Sequence, residues 1–233
     1  MSKISLFLYI FLALIFNVNK AASQTTEAQD TEKTEIKALS VSEQKVENFP
    51  LYVYKDGSSS ENNFFPTGNM GDFRSFWIDT YCIERPYSGS NCVQINYEAS
   101  LHPVYGWAGL YWQYPPNNWG DVPKAYDLRG ATKLTFWARG KSGGEVINKF
   151  QVGGITGEYY DSGVASIGPI ALTREWKEYT IDLIEMHNPV IYNEEETEPL
   201  SHIIGGFSWA TNMAVNHNKG VTFYLDEIKF END

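Results

Sequence analysis

Cysteine and histidine are scarce in this chain. Two Cys and four His among 233 residues leave too little material for a zinc ribbon or a disulfide-dense scaffold. Basic side chains are outnumbered, 18 against 29 acidic, for a net charge of −11. Nucleic acid phosphates and anionic lipid would repel such a chain. Gly (19) and Pro (10) stand at ordinary levels, which excludes a collagen or a low-complexity polymer. There is no Walker-type phosphate loop, no Gly-x-Gly-x-x-Gly run and no Cys-x-x-Cys pair. Sustained helical periodicity is missing too, which excludes a coiled coil. What the chain does hold is aromatic: 7 Trp, 15 Tyr and 13 Phe, together 15% of its residues.

The only long apolar run is Leu6 to Phe16. Lys3 precedes it, and Ala21-Ala22-Ser23 follows as a small-residue cleavage site. Residues 1–23 therefore read as a secretory signal. A single membrane anchor is the alternative, but Asn17, Asn19 and Lys20 end the run short of the roughly 20 residues a spanning helix needs. Removal of Lys3 and Lys20 leaves 16 basic against 29 acidic groups, a charge of −13. Residues 24–48 read as a flexible polar linker. They hold no Trp or Tyr and no apolar stripe, so they bury too little surface to offset chain entropy. A marginal short helix over Ser42 to Val46 is the only local order expected there. The folded domain is expected over 49–233, secreted or periplasmic, and monomeric.

Export implies an oxidising compartment. Nine residues separate Cys82 from Cys92, and a turn-rich segment joins them. A disulfide is expected, contributing about 2–3 kcal/mol; two independent buried thiols are the alternative.

Beyond residue 49 the pattern is of short strands between turn signals. The runs are Leu51–Lys55, Phe73–Asp79, Cys92–Glu98, Trp107–Tyr114, Lys133–Arg139, Val146–Gly153, Trp176–Leu183, Ile203–Thr211 and Val221–Phe230. Nine strands at this spacing imply an all-β, antiparallel β-sandwich or barrel. Alternation assigns Ala108, Leu110 and Trp112 to the core and turns Trp107, Tyr111 and Gln113 outward. It likewise buries Leu134, Phe136 and Ala138, and Phe150 and Val152, while turning out Trp137, Arg139 and Gln151. Trp77, Trp112 and Trp176 read as core. An outward face bearing rings beside amides and a guanidinium is a candidate binding surface.

Three stretches carry a family likeness. They are Gly106-Trp-Ala-Gly-Leu-Tyr-Trp-Gln, Asn117-Asn-Trp-Gly120 and the run from Tyr126 to Gly140 ending Leu-Thr-Phe-Trp-Ala-Arg-Gly. With the closing Val221-Thr-Phe-Tyr-Leu-Asp-Glu-Ile-Lys-Phe230, they resemble galactose-binding-like jelly rolls of the carbohydrate-binding-module type. The likeness spans about Leu51 to Glu231; an acidic loop from Glu185 to Ser201 departs from it. It implies a non-catalytic module that binds a neutral poly- or oligosaccharide. It also implies that Trp137, Arg139, Tyr111, Gln113 and Gln151 share neighbouring strands, with Asn117, Asn118 and Trp119 on a rim loop. Trp107 and Trp209 complete the candidate set. Flat rings stack on the C–H face of a pyranose, and amides and Arg fork to adjacent hydroxyls. The resemblance further implies a structural calcium at Asp56, Asp226 and Glu227, hard oxygen donors where the first and last strands meet.

Rival functions are a small glycan hydrolase or lyase and a protein-interaction module of an extracellular assembly. The hydrolase would need two convergent carboxylates. Gly206-Phe-Ser-Trp-Ala210 is near a Gly-x-Ser-x-Gly elbow, but Ser208 lies inside a strand-like run with no helix after it.

Overall fold

A computed structural model describes residues 42–99, 104–184, 186 and 198–233. The expected signal and most of the linker lie outside them. From Glu43 onward the chain forms one unit. Among the described residues fifteen strands follow one another. They are Ser42–Lys45 (β1), Leu51–Tyr54 (β2), Phe65–Gly71 (β3), Phe76–Cys82 (β4) and Cys92–Tyr97 (β5). Next come Trp107–Gln113 (β6), Lys124–Asp127 (β7), Lys133–Gly140 (β8), Val146–Ile147 (β9) and Lys149–Gly153 (β10). Val164–Ile167 (β11), Ile170–Ala171 (β12), Lys177–Asp182 (β13), Gly205–Asn212 (β14) and Val221–Glu231 (β15) complete the series.

Two main sheets build the sandwich. One has five strands in the order β11-β10-β14-β6-β3. The other runs β13-β8-β15-β5-β4, and β2 adds to β15 as its sixth strand. The pairings within both are antiparallel. The expected all-β sandwich is what the chain forms. Among the described residues no helix is long and apolar enough to cross a membrane.

Alternation explains the core. Leu110, Trp112, Phe150, Phe207 and Trp209 point inward from the five-stranded sheet, and Phe136, Phe223 and Phe230 from the other. Their rings meet edge to face or tilted: Phe136 lies 4.7 Å from Phe150 and 5.1 Å from Phe207, and Trp209 lies 5.2 Å from Phe76 and Phe223. Each such buried ring contributes about 1.5–3 kcal/mol through burial.

Several expectations are corrected. The segment Ser42–Lys45 is a strand beside β7, not a helix; tertiary pairing, with the Val46 amide on the Asp127 carbonyl, overrides a weak helical preference. Strand β3 escaped sequence reading because Phe-Pro-Thr-Gly-Asn-Met-Gly reads as a turn. It is an edge strand, and its Pro and first Gly sit at a bulge, where neither disturbs a ladder. Trp77 was read as core but stands exposed on β4. Cys82 and Cys92 face each other in register across β4 and β5 as buried free thiols, not as the expected disulfide. Burial, with Cys82 alongside, pushes the Cys92 thiol up.

Candidate functional site

The outward side of the five-stranded sheet forms an open trough. Strand register aligns its side chains in rows. Tyr111 stands opposite Ser208 on one side and Gly68 on the other, and Ser208 pairs in turn with Gln151. The next row runs Lys149, Ala210, Gly109, Met70. Trp107 faces Asn212 at the end. The middle of this second row, Ala210 and Gly109, is small, so it lies low between Lys149 and Met70. A side chain at Gly109 would meet the Trp209 carbonyl, the Met70 methyl and the Ala210 Cβ, so only Gly leaves this floor open. The cavity measures about 320 Å³, at the lower end of ligand sites.

Rings bound the trough along its length. At one end the Trp107 indole lies across Gly71, whose φ of +61° and absent side chain admit it; 37% of Trp107 is exposed. At the other end Trp119, 38% exposed, meets Tyr111 edge to face at 5.9 Å. Tyr111 itself shows only 6% of its surface. Its hydroxyl donates to the Gly153 carbonyl (3.1 Å) and accepts from the Gln151 amide, which also donates to Gly153. Burial, then the nearby Asp161, pushes the Tyr111 hydroxyl pKa up, so it stays a protonated donor. Tyr111 and Gln151 are thus a braced wall, and Trp107 is the free platform.

Asp161 supports this wall from below. It is fully buried and accepts the amides of Ile155, Ile204 and Gly205, tying a loop to the start of β14. Burial drives its pKa up to about 7 against the pull of those amides.

Of the residues singled out from sequence, Trp107, Tyr111 and Gln151 line the trough, Trp119 stands beside Tyr111, and Asn117 is exposed on the preceding loop with its amide on the Thr67 hydroxyl. The other five are corrected. Gln113 is buried: its amide donates to the Asn118 carbonyl and its oxygen accepts from Thr67. Asn118 is buried as well, organising the rim loop through the amides of Gly120, Asp121 and Val122. Trp209 belongs to the core, because an odd position on β14 points inward. Trp137 and Arg139 lie on β8, in the other sheet. There Tyr87 stacks on Trp137 at 3.7 Å. Arg139, 1% exposed, donates to the Glu84 carbonyl and lies 3.6 Å from the Tyr224 ring. Residues 83–91 cover both.

Sequence reading missed Met70, Lys149, Ser208, Ala210 and Asn212 in the trough. The β14 set was recoverable from alternation once Phe207 and Trp209 are taken inward. Met70 was not, because its strand was unrecognised.

Of the implied calcium set, Asp56 and Glu227 line one cavity, while Asp226 is turned to backbone amides. One Asp226 oxygen accepts the Tyr87 and Ser88 amides and the other the Glu227 amide. Asp56 takes the Gly57 and Ser90 amides. Among the described residues no three His, Cys, Asp or Glu side chains converge as a metal site. Asp226 is instead a buried structural carboxylate, its pKa pushed up to about 7 by burial. Ser208 lies within β14, which runs on to Asn212, so it forms no nucleophile elbow.

No family description and no curated protein matches this chain. Solved structures do. One is the family 11 carbohydrate-binding module from Clostridium thermocellum, determined with a β-1,3-1,4-mixed-linked tetrasaccharide. It is 17% identical over 77% of this chain and 94% of its own, with a TM-score of 0.50. A family 30 carbohydrate-binding module is 16% identical over 80% of this chain and all of its own, with a TM-score of 0.52. The fold is therefore the β-sandwich seen in these carbohydrate-binding modules.

Proposed function

We propose that this protein is an exported, non-catalytic glycan-binding module that holds a neutral glucan chain in the trough of its five-stranded sheet. The single observation that supports this most strongly is the Trp107 indole. It is 37% exposed at the end of a low, small-residue floor, facing Asn212 and sharing the trough with Ser208 and Gln151. That combination offers a stacking surface for a pyranose and hydrogen-bonding partners for its rim. The side chains lining the trough include one cation, Lys149, and no carboxylate. The chemistry there is binding, without an acid–base pair. The Clostridium thermocellum module's mixed-linked β-glucan is the first ligand to test. In affinity electrophoresis through that polysaccharide, wild type should be retarded. Trp107→Ala should lose about tenfold in affinity, the loss of one stacking contact, with an unchanged melting temperature. Equal retardation of both proteins would sink the assignment of the trough.

A further inference from the structure

A second cavity, of about 310 Å³, adjoins the trough beyond Trp107. It is lined by Gly71, Asp72, Phe73, Arg74, Val104 and Tyr105. The two are neighbours at the end of β3: Met70 lines one and the next residue, Gly71, lines the other, and the Trp107 ring of the trough lies against Gly71. Phe73 and Tyr105 are exposed by 50% and 69%, so two large rings stand open within one small region.

The segment bearing Tyr105 is held in place. The Asp72 carboxylate accepts the amides of Val104 (3.0 Å), Tyr105 (2.9 Å) and Gly106 (2.7 Å). The Asp72 amide in turn donates to the Trp107 carbonyl at 2.8 Å. Burial opposes the charge on Asp72, but these amides outweigh it and hold the carboxyl below the usual range. Its negative charge is therefore answered by backbone. Arg74, exposed and 5.8 Å from the Phe73 ring, is the remaining charged side chain of the cavity and presents a fork of N–H donors.

We infer that Phe73, Arg74 and Tyr105 form a second sugar-binding subsite, next to the trough, so that the protein takes long glucan chains in preference to short ones. This rests on the glycan-binding reading of the trough. From Tyr111 to Trp107 the trough runs about 13 Å along β6, room for a short oligosaccharide. A longer chain leaving past Trp107 meets Phe73 and Tyr105 next. The occupant is the same neutral chain, with its hydroxyls facing Arg74.

The test is calorimetric titration with β-1,3-1,4-mixed-linked gluco-oligosaccharides, from trisaccharide to hexasaccharide. Wild type should gain affinity along the series. The double variant Phe73→Ala/Tyr105→Ala should lose about tenfold for the hexasaccharide and nothing for the trisaccharide. Trp107→Ala should lose affinity for both. Trp77→Ala, which removes an exposed ring from the other sheet, should bind as wild type. If the double variant shifts the melting temperature, Tyr105→Ala alone replaces it, with the same length-dependent loss expected at smaller size. An equal loss at both lengths, or none, overturns the second subsite while leaving the trough intact. A wild-type protein with no affinity for any member of the series overturns the glucan reading itself.

Discussion

The two outer faces of this sandwich start from similar material and end differently. Each has large rings and polar groups at outward positions of its central strands: Trp107 and Tyr111 with Gln151 on one, Trp137 and Tyr224 with Arg139 on the other. On the six-stranded sheet, residues 83–91 fold back over these groups. Tyr87 stacks on Trp137, Arg139 reaches the Glu84 carbonyl, Trp176 donates to the Arg85 carbonyl, and Asp226 pins the Tyr87 and Ser88 amides. On the five-stranded sheet no such cover over Trp107, Ala210 and Asn212 forms among the described residues. Strand alternation decides which way a side chain points; the loops decide whether it meets water.

The comparison can be broken by substitution. The largest effect is expected from Trp209→Ala. If this ring is core, as its contacts with Phe76 and Phe223 indicate, chemical denaturation should show a loss of about 3–5 kcal/mol. A near-neutral change would return it to the list of surface rings. Arg139→Ala should follow. It removes the guanidinium donor from the Glu84 carbonyl and the cation from the Tyr224 ring, a loss of about 2–3 kcal/mol. Glucan retention should stay as in wild type. Next comes the contrast of the two tryptophans. Trp107→Ala should weaken binding at constant stability, whereas Trp137→Ala should cost about 1 kcal/mol from its stack with Tyr87 and leave binding alone. The reverse pattern would move the binding face to the other sheet.

Stability should also depend on pH. Asp161 and Asp226 both have carboxyl pKa values raised to about 7 in the folded state, by burial. The native state therefore holds protons that the unfolded chain has released above about pH 4. Their contribution to stability is complete below that value and is lost as pH rises through about 7. Melting temperatures measured from pH 5 to pH 8 should fall, and Asp161→Asn should flatten the slope. A slope identical in the variant would remove Asp161 from this account. Asp72, Asp127 and Glu231 act oppositely, since their lowered pKa values favour the fold above the unfolded range and fail in acid.

Much of the fold was legible because burial on one face leaves a period of two in the sequence. The inward residues of β6, β8 and β10 were assigned correctly from that period. Strands without it were not recovered: β3 is rich in Gly, Pro and Asn, and β11 and β12 are short and half exposed. The site was legible only in part. Trp107, Tyr111 and Gln151 announced themselves as outward polar or aromatic positions. Gln113 and Asn118 carried the same signal but serve the rim loop instead. Ser208, Ala210 and Gly109 carried almost none, since a trough floor is marked by what its side chains lack.

Local composition and alternation were enough to determine that this chain forms an antiparallel sandwich and which side chains turn away from its centre, because those features arise from each strand's own two-sided burial. Which sheet each strand joins, which outward rings lie under a loop and which remain open were decided only in three dimensions. Strand partners and covering loops come from distant parts of the chain, and their pairing depends on register and packing that no single segment encodes.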